Sequence, residues 1–404
     1  MRGAALGLMS RLARANARFA AATAARPRGE RAPSRTSSRA ADPRRASRGG
    51  GGPSTRSAHD TGWHAPPRAR PLATSAASSP GPLDEAAPAA APSPAASPSP
   101  APPSSVYSDP RAYELAFGFR DFDAEARFLR DVSASLGRGG GVSGGAPGGI
   151  GALLELGAGP AWHSAAVARL CPDARCVAVD NSPAMLRRAM ERVETEGVRE
   201  RVAVVDADFT DLDPDALRRA LASLDNARKE ANPDSDAALP GFDLACVLLG
   251  TAAHLTTTAS AASLFRACAS ALNPGGLLVL ELEHPFDLFD GSLMDAKGDA
   301  WDREVDGVKV LVEWGREGDY FDVETHAVAR TVGVNVVDPA TLEPAPGWAP
   351  IEETVTCRVF THPEIAMLGE MAGLEVVATY GDMDQNVGLN DDDAHNMVVA
   401  LKKI

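Results

Sequence analysis

Two glycines and a carboxylate, spaced to hold a nucleoside, are the first chemistry this sequence shows. Leu153, Leu154 and Leu156 form an apolar run broken only by Glu155, and Gly157 and Gly159 follow at once. A helical pattern then runs from Ser164 to Leu170, and a second apolar run, Cys176 to Val179, ends in Asp180. The order is strand, glycine turn, helix, strand, terminal acid. Glycine lets the turn approach a ligand with no Cβ in the way. The helix start directs unpaired N–H groups at the site. Asp180, about twenty residues beyond the turn, stands where a carboxylate accepts ribose hydroxyl protons.

The turn itself narrows the choice of nucleoside. A dinucleotide-binding turn carries a third glycine for close helix–strand packing around a pyrophosphate. Here Trp162 holds that place, flanked by Ala161 and His163. The pattern E-L-G-x-G-P from Glu155 to Pro160, with Asp180 inside V-D-N-S-P-A-M-L, resembles the class I S-adenosylmethionine-dependent methyltransferases. The resemblance extends over about residues 107–404. It implies S-adenosylmethionine as cofactor, held by Glu155, Gly157, Ala158 and Gly159 at the turn and by Asp180 and Asn181 after the second strand. It implies that Asp208 meets the adenine amine (Asp206 being the substitute) and that Phe209 flanks the ring. Leu249 completes the set. Two alternatives stand beside this reading: an NAD(P)-dependent Rossmann oxidoreductase, and a catalytically silent methyltransferase-fold subunit.

Composition bounds the rest of the chain. Among 404 residues, the first hundred are dominated by Ala, Pro, Ser and Arg, and cannot bury enough apolar surface to offset chain entropy. Thirteen arginines against Glu30 and Asp42 leave residues 1–59 at about +11, so the formal −14 of the whole chain puts about −25 on the remainder. Such an acidic body argues against a nucleic-acid surface. Arg11, Arg14 and Arg18 share one helical face, and Leu8, Leu12 and Phe19 lie on another. An Arg-rich, acid-poor amphipathic start reads as an organelle transit peptide over residues 1–60, read by the organelle import machinery. Mitochondrion is favoured over chloroplast, and a disordered basic tail is the alternative. Residues 61–105 are a Pro/Ala/Ser linker. No run reaches membrane-spanning length, so a soluble protein without a membrane partner is expected. Five cysteines without a C-x-x-C pair suggest neither disulfides nor a metal site.

The ordered domain, 106–404, is expected to be α/β: a Rossmann-like, seven-stranded, mostly parallel sheet with an antiparallel β insertion after the fifth strand. Residues 106–136 give aromatic-rich amphipathic helices, which the resemblance makes a lid over the cofactor. Residues 152–284 are the cofactor-binding core. Residues 285–360 change to period two around the hairpin signal Asp306-Gly307, predicting a cap of three or four strands that chooses the acceptor. Residues 361–404 close the chain with a helix and β-hairpin, which a dinucleotide-binding fold would lack. The acceptor is expected to be a small molecule, because the end of the fourth strand, Leu249-Gly250-Thr251, lacks the N/D-P-P-Y of enzymes acting on base amines. Tyr113, His254, Trp314, Tyr320 and Arg358 are the candidate acceptor contacts. Methyl transfer from a sulfonium needs alignment and dryness more than a base. If a base serves, His284 is the best placed, directly after the fifth strand, ahead of Glu283 and His254.

Overall fold

In the computed structural model, which describes residues 105–137, 149–224, 241–286 and 299–404, β1 (Ala152–Leu156) is buried throughout. The predicted transit segment and the linker up to residue 104 lie outside the described residues. Strand β1 pairs in parallel with β2 (Arg175–Asp180) on one side and β4 (Phe242–Val247) on the other. Strand β3 (Val202–Asp206) extends the sheet beyond β2, and β5 (Leu272–Glu283) extends it beyond β4. The chain returns through β11 (Leu374–Tyr380) and β12 (Asn396–Lys403) to insert β12 antiparallel between β5 and β11. The full order is β11-β12-β5-β4-β1-β2-β3. Near-continuous apolar strands require cover on both faces. Two clusters supply it, one around Leu154, Val177, Phe242 and Phe265, the other around Leu129, Leu153, Val167 and Leu244.

Of the seven α-helices among the described residues, all but the one after the glycine turn start where the sequence offers a side-chain cap. Asp109 accepts from Arg111 and Ala112 N–H at the head of α1 (Pro110–Phe117), and Asp121 accepts from Ala124 N–H at the head of α2 (Phe122–Leu136). The glycine turn leads into α3 (Trp162–Leu170), two residues earlier than the sequence pattern suggested. Helix α4 (Pro183–Thr195) follows β2, α5 (Pro214–Ser223) follows β3, and α6 (Thr258–Ala271) precedes β5. Thr361 and Glu364 form a capping box at the head of α7 (His362–Met371).

The insertion is a separate antiparallel sheet of five strands, one more than the sequence suggested: β6 (Asp299–Val305), β7 (Val308–Trp314), β8 (Tyr320–Asp322), β9 (Ala327–Val337) and β10 (Ile351–Arg358). Asp306 and Gly307 both take positive φ, as the two-residue turn between β6 and β7 demands. Strand β7 is packed on both faces. Val310 and Val312 lie against Ala112 and Ala116 of α1, while Leu311 packs with Ala300 and Val337. All five cysteines are buried and unpaired. Among the described residues no helix is long and apolar enough to cross a membrane.

Candidate functional site

The sheet reverses its order of growth at β1, and the crevice at the strand ends beside such a reversal is where open α/β sheets bind ligands. The turns after β1 and β4 meet there closely. A Cβ on Gly157 would stand 2.2 Å from Thr251 Cγ2, and Gly157 has φ +62°. Gly159, at φ +52°, donates its N–H to Asp180 Oδ2 (2.8 Å), and Ser182 N–H donates to Oδ1 (2.8 Å). Burial raises the Asp180 carboxyl above its ordinary range against the opposing N–H bonds from Ser182, Gly159 and Asn181. Two residues that are not glycine also hold left-handed backbone on the rim: Ala161 at φ 57° and Leu249 at φ 54°. That conformation costs about 1–2 kcal/mol each. At Leu249 it is offset by the N–H, which donates to Glu281 Oε2 (2.8 Å).

The N-terminal helices cover this crevice. Tyr113 Cε1 lies 3.9 Å from where a Gly159 Cβ would stand. The Tyr113 ring stacks on Trp162 (5.6 Å, 22°), and Phe122 stacks on Trp162 too (4.4 Å, 17°). The indole that replaced the third glycine is therefore the post on which the lid aromatics rest. Upstream, Ser182 Oγ donates to the Tyr107 carbonyl (2.8 Å), and Tyr107 Oη meets His254 Nε2 (3.0 Å). Burial depresses the His254 imidazole and pushes the Tyr107 and Tyr113 phenols up, so all three groups stay neutral near pH 7. The lid is pinned on two sides. Glu114 pairs with Arg188 (3.0 Å) and Arg192 of α4, while Trp301 Nε1 and Arg303 Nη1 of the cap donate to the Ala116 and Leu115 carbonyls (2.9 and 2.8 Å).

Behind Trp162 runs a buried ionic chain. Arg120, between α1 and α2, reaches Glu125 (2.6 Å) and Glu281 of β5 (2.7 Å). Glu125 meets His163 Nε2 (2.7 Å), and His163 Nδ1 meets Glu155 (3.1 Å). Glu155 Oε2 accepts from both the N–H and the hydroxyl of Ser164 (2.8 and 2.5 Å). Arg120, Glu125, His163 and Glu281 were not singled out as a set from sequence. The available signal was a charge inside each apolar pattern, Glu281 within Leu277–Leu282 above all, since a buried charge requires a partner.

Several expectations need correction. Glu155 does not face the crevice: both carboxylate oxygens are taken by His163 and Ser164, and the residue is 3 % exposed. His284 is not a base in waiting. Its Nε2 lies 2.8 Å from the Leu389 carbonyl and can only donate there, and its Nδ1 accepts from Phe286 N–H (3.2 Å), which leaves no lone pair for a substrate. Arg358 bonds Glu364 (3.0 Å) and Thr258 (3.2 Å) and lies over Phe360, so it ties β10 to α6 and α7. Tyr320 is 70 % exposed on the three-residue strand β8 and outside the packed aromatics. Of the remaining candidates, Trp314 and His254 lie against the N-terminal segment. Trp314 packs edge-on to Phe117 of the lid (5.8 Å) and in one cluster with Ala253, beside His254. Asp208 sits exposed past β3, its Oδ1 accepting from Thr210, with Phe209 packed against the core beside it.

Comparison with known proteins agrees with this geometry. Residues 153–225 match the model of the family described as methyltransferase domain. Among solved structures, the chain is similar to an S-adenosylmethionine-dependent methyltransferase from Clostridium acetobutylicum, at 14 % identity and TM-score 0.50, over 72 % of this chain and 95 % of that one. It is also similar to the amino pentose methyltransferase CalS10 of Micromonospora echinaspora (19 % identity, 72 % and 96 % of the two chains, TM-score 0.49). A third is the sugar N-methyltransferase KedS8 of a Streptoalloteichus species (21 %, 76 % and 97 %, TM-score 0.48). No curated protein matches the sequence. These matches lend no support to an oxidoreductase or to a silent subunit. With its seven strands in this order, the chain has the Rossmann-like fold of the S-adenosylmethionine-dependent methyltransferases, and its residues 153–225, which carry the glycine turn and Asp180, match the methyltransferase-domain model.

Proposed function

We propose that this protein transfers the methyl group of S-adenosylmethionine to a small polar molecule admitted between lid and cap. The observation that carries the reading is the crevice at Gly159 and Asp180, roofed by Tyr113 and walled by the cap through Phe117 and Trp314. The residues present fit the cofactor. A side chain at Gly159 would fill the space under Tyr113, and a side chain at Gly250 would enter open space. Asp180, with Asn181, would hold the ribose, Asp208 and Phe209 the adenine, and the backbone from Gly157 to Gly159 the amino-acid tail. Ala158 lines the same turn, and the Leu249 backbone closes the far rim.

S-adenosylmethionine supplies an activated methyl and a thioether leaving group. What the chain supplies is alignment in a dry space. Tyr113, Phe117 and Trp162 exclude water from above, and Trp314 packs on Phe117 from the cap side. The neutral His254–Tyr107 pair offers an unionised imidazole on this rim, suited to orient an acceptor amine or hydroxyl. Amino or hydroxylated acceptors of sugar size are favoured, in keeping with the amino pentose and sugar enzymes named above. Calorimetry with S-adenosylmethionine tests the donor. Incubation with labelled S-adenosylmethionine and fractionated metabolites tests the acceptor. Label in protein or nucleic acid alone would overturn the small-molecule reading. The basic segment of residues 1–60 is proposed to be an import sequence, favouring the mitochondrion. A fluorescent fusion to those residues that stays diffuse would refute it.

A further inference from the structure

His163 stands between two carboxylates that belong to different parts of the chain. Glu125 Oε2, on lid helix α2, is 2.7 Å from Nε2, and Glu155 Oε1, on β1, is 3.1 Å from Nδ1. An ionised carboxylate only accepts. Both contacts are hydrogen bonds, therefore, only when both ring nitrogens carry protons. A neutral ring would turn a lone pair onto one of the two carboxylates, and at 1 % exposure no bulk water reaches the ring to relieve it.

The two carboxylates are not equally movable. Glu155 is held by the N–H and hydroxyl of Ser164, in the first turn of α3, and stays with the donor-binding turn. Glu125 travels with the lid, and its other oxygen takes Arg120. Arg120 in turn meets Glu281 of β5, whose second oxygen holds the Leu249 N–H on the opposite rim. The groups facing His163 from every element packed on it are Glu125 and the edge of Phe122 from α2, and Glu155 from β1. Behind these stand Arg120, Glu281 and the Cys176 thiol of β2.

We propose that His163 is a positioning residue whose positive charge fastens the lid to the donor-binding turn, so that deprotonation of the ring loosens the lid and speeds exchange of the methyl donor. The donor clause rests on the methyltransferase reading; the fastening does not. Burial alone would drive the ring neutral, but the hydrogen bonds and charges of Glu125 and Glu155 outweigh it and raise the imidazolium to about 9. The lid is therefore fastened near neutrality and released in moderate alkali.

Amide hydrogen exchange of residues 110–136 in the cofactor-free protein, corrected for the intrinsic rise of exchange with pH, tests the fastening. Protection of the wild-type lid should fall by at least about tenfold between pH 7.5 and 10, while that of β1 and β5 holds. In His163→Gln, which cannot serve both carboxylates with a charge, lid protection should be lower at pH 7.5 and change less than about threefold. Glu125→Gln, which leaves Glu155 and Ser164 untouched, should flatten the profile in the same way. It decides the matter if His163→Gln does not fold. Calorimetric affinity for S-adenosylmethionine should weaken in parallel in the wild type and stay level in the variants. A wild-type lid whose protection ignores pH, or variants that keep the wild-type decline, would overturn the proposal. Absence of S-adenosylmethionine binding at every pH would overturn the functional reading instead, and the exchange data would still decide the role of His163.

Discussion

Gly157→Ala places a methyl group where the two turns of the crevice already touch. The new Cβ would lie 2.2 Å from Thr251 Cγ2, with Oγ1 and Cβ of the same threonine at 3.2 and 3.3 Å. Carbon atoms pack at about 3.5–4.0 Å, so one turn has to yield by about 1.5 Å. Positive φ adds about 1–2 kcal/mol for any residue with a Cβ, and overpacking of a tight site costs about 1–3 kcal/mol. The expected loss is then about 2–5 kcal/mol, with S-adenosylmethionine affinity reduced at least about tenfold because both turns frame the ligand. The two contributions separate in a double-mutant cycle. Thr251→Ser removes the offending methyl, costs little by itself, and in combination with Gly157→Ala should restore about 1–3 kcal/mol while the φ cost remains. Urea denaturation of the four proteins measures this, with calorimetry alongside. Additive losses, with no recovery in the double variant, would mean that the Gly157–Thr251 approach is not what makes glycine necessary there.

Three further outcomes are expected. Asp180→Ala removes the carboxylate at the ribose position and should weaken S-adenosylmethionine binding at least about tenfold by calorimetry, since a charge-assisted hydrogen bond is worth about 1.5–3 kcal/mol. His284→Ala should leave kcat/KM within about threefold and cost about 1–2 kcal/mol of stability through the lost bonds to Leu389 and Phe286; a loss of about a hundredfold or more in kcat would reinstate it as the base. Arg358→Ala should lower the melting temperature while acceptor KM stays within about twofold, because its partners are Glu364 and Thr258.

Local periodicity carried the core of the fold, and long-range pairing decided what it could not. The strands from Leu153 to Asp180 were legible because their apolar runs, glycines and terminal acid lie within thirty residues of one another. In the cap, alternation along β7 announced a strand but not its orientation. Val310 and Val312 turn out to carry the lid, while Leu311 finds Ala300 and Val337 on the other face, so both sides are buried. The site residues divide in the same way. Asp180 could be placed because its position beside the glycine turn follows from the strand end. Glu155 was recognised as a carboxylate beside the turn, but its partners His163 and Ser164 depend on how α3 begins. His284 met its partner Leu389 across 105 residues, a distance over which strand-end reasoning has no reach. The chain from Arg120 to His163 joins a loop, two helices and two strands, and only the folded backbone brings them together.

The burial of every cysteine has a consequence for a protein proposed to bind an activated methyl group. A sulfonium is a soft electrophile, and the soft nucleophile most proteins carry is a thiolate. Burial pushes the thiols of Cys268 and Cys357 to about 12 and raises those of Cys176 and Cys246 as well. Near pH 7.5 a thiol with a pKa of about 12 is ionised in fewer than about one molecule in ten thousand. Cys357 lies in the apolar cluster that Trp314 packs against. The apolar packing around these sulfurs thus guards the protein against its own reagent. Mass spectrometry of the protein aged with S-adenosylmethionine should therefore find the cysteines unmodified.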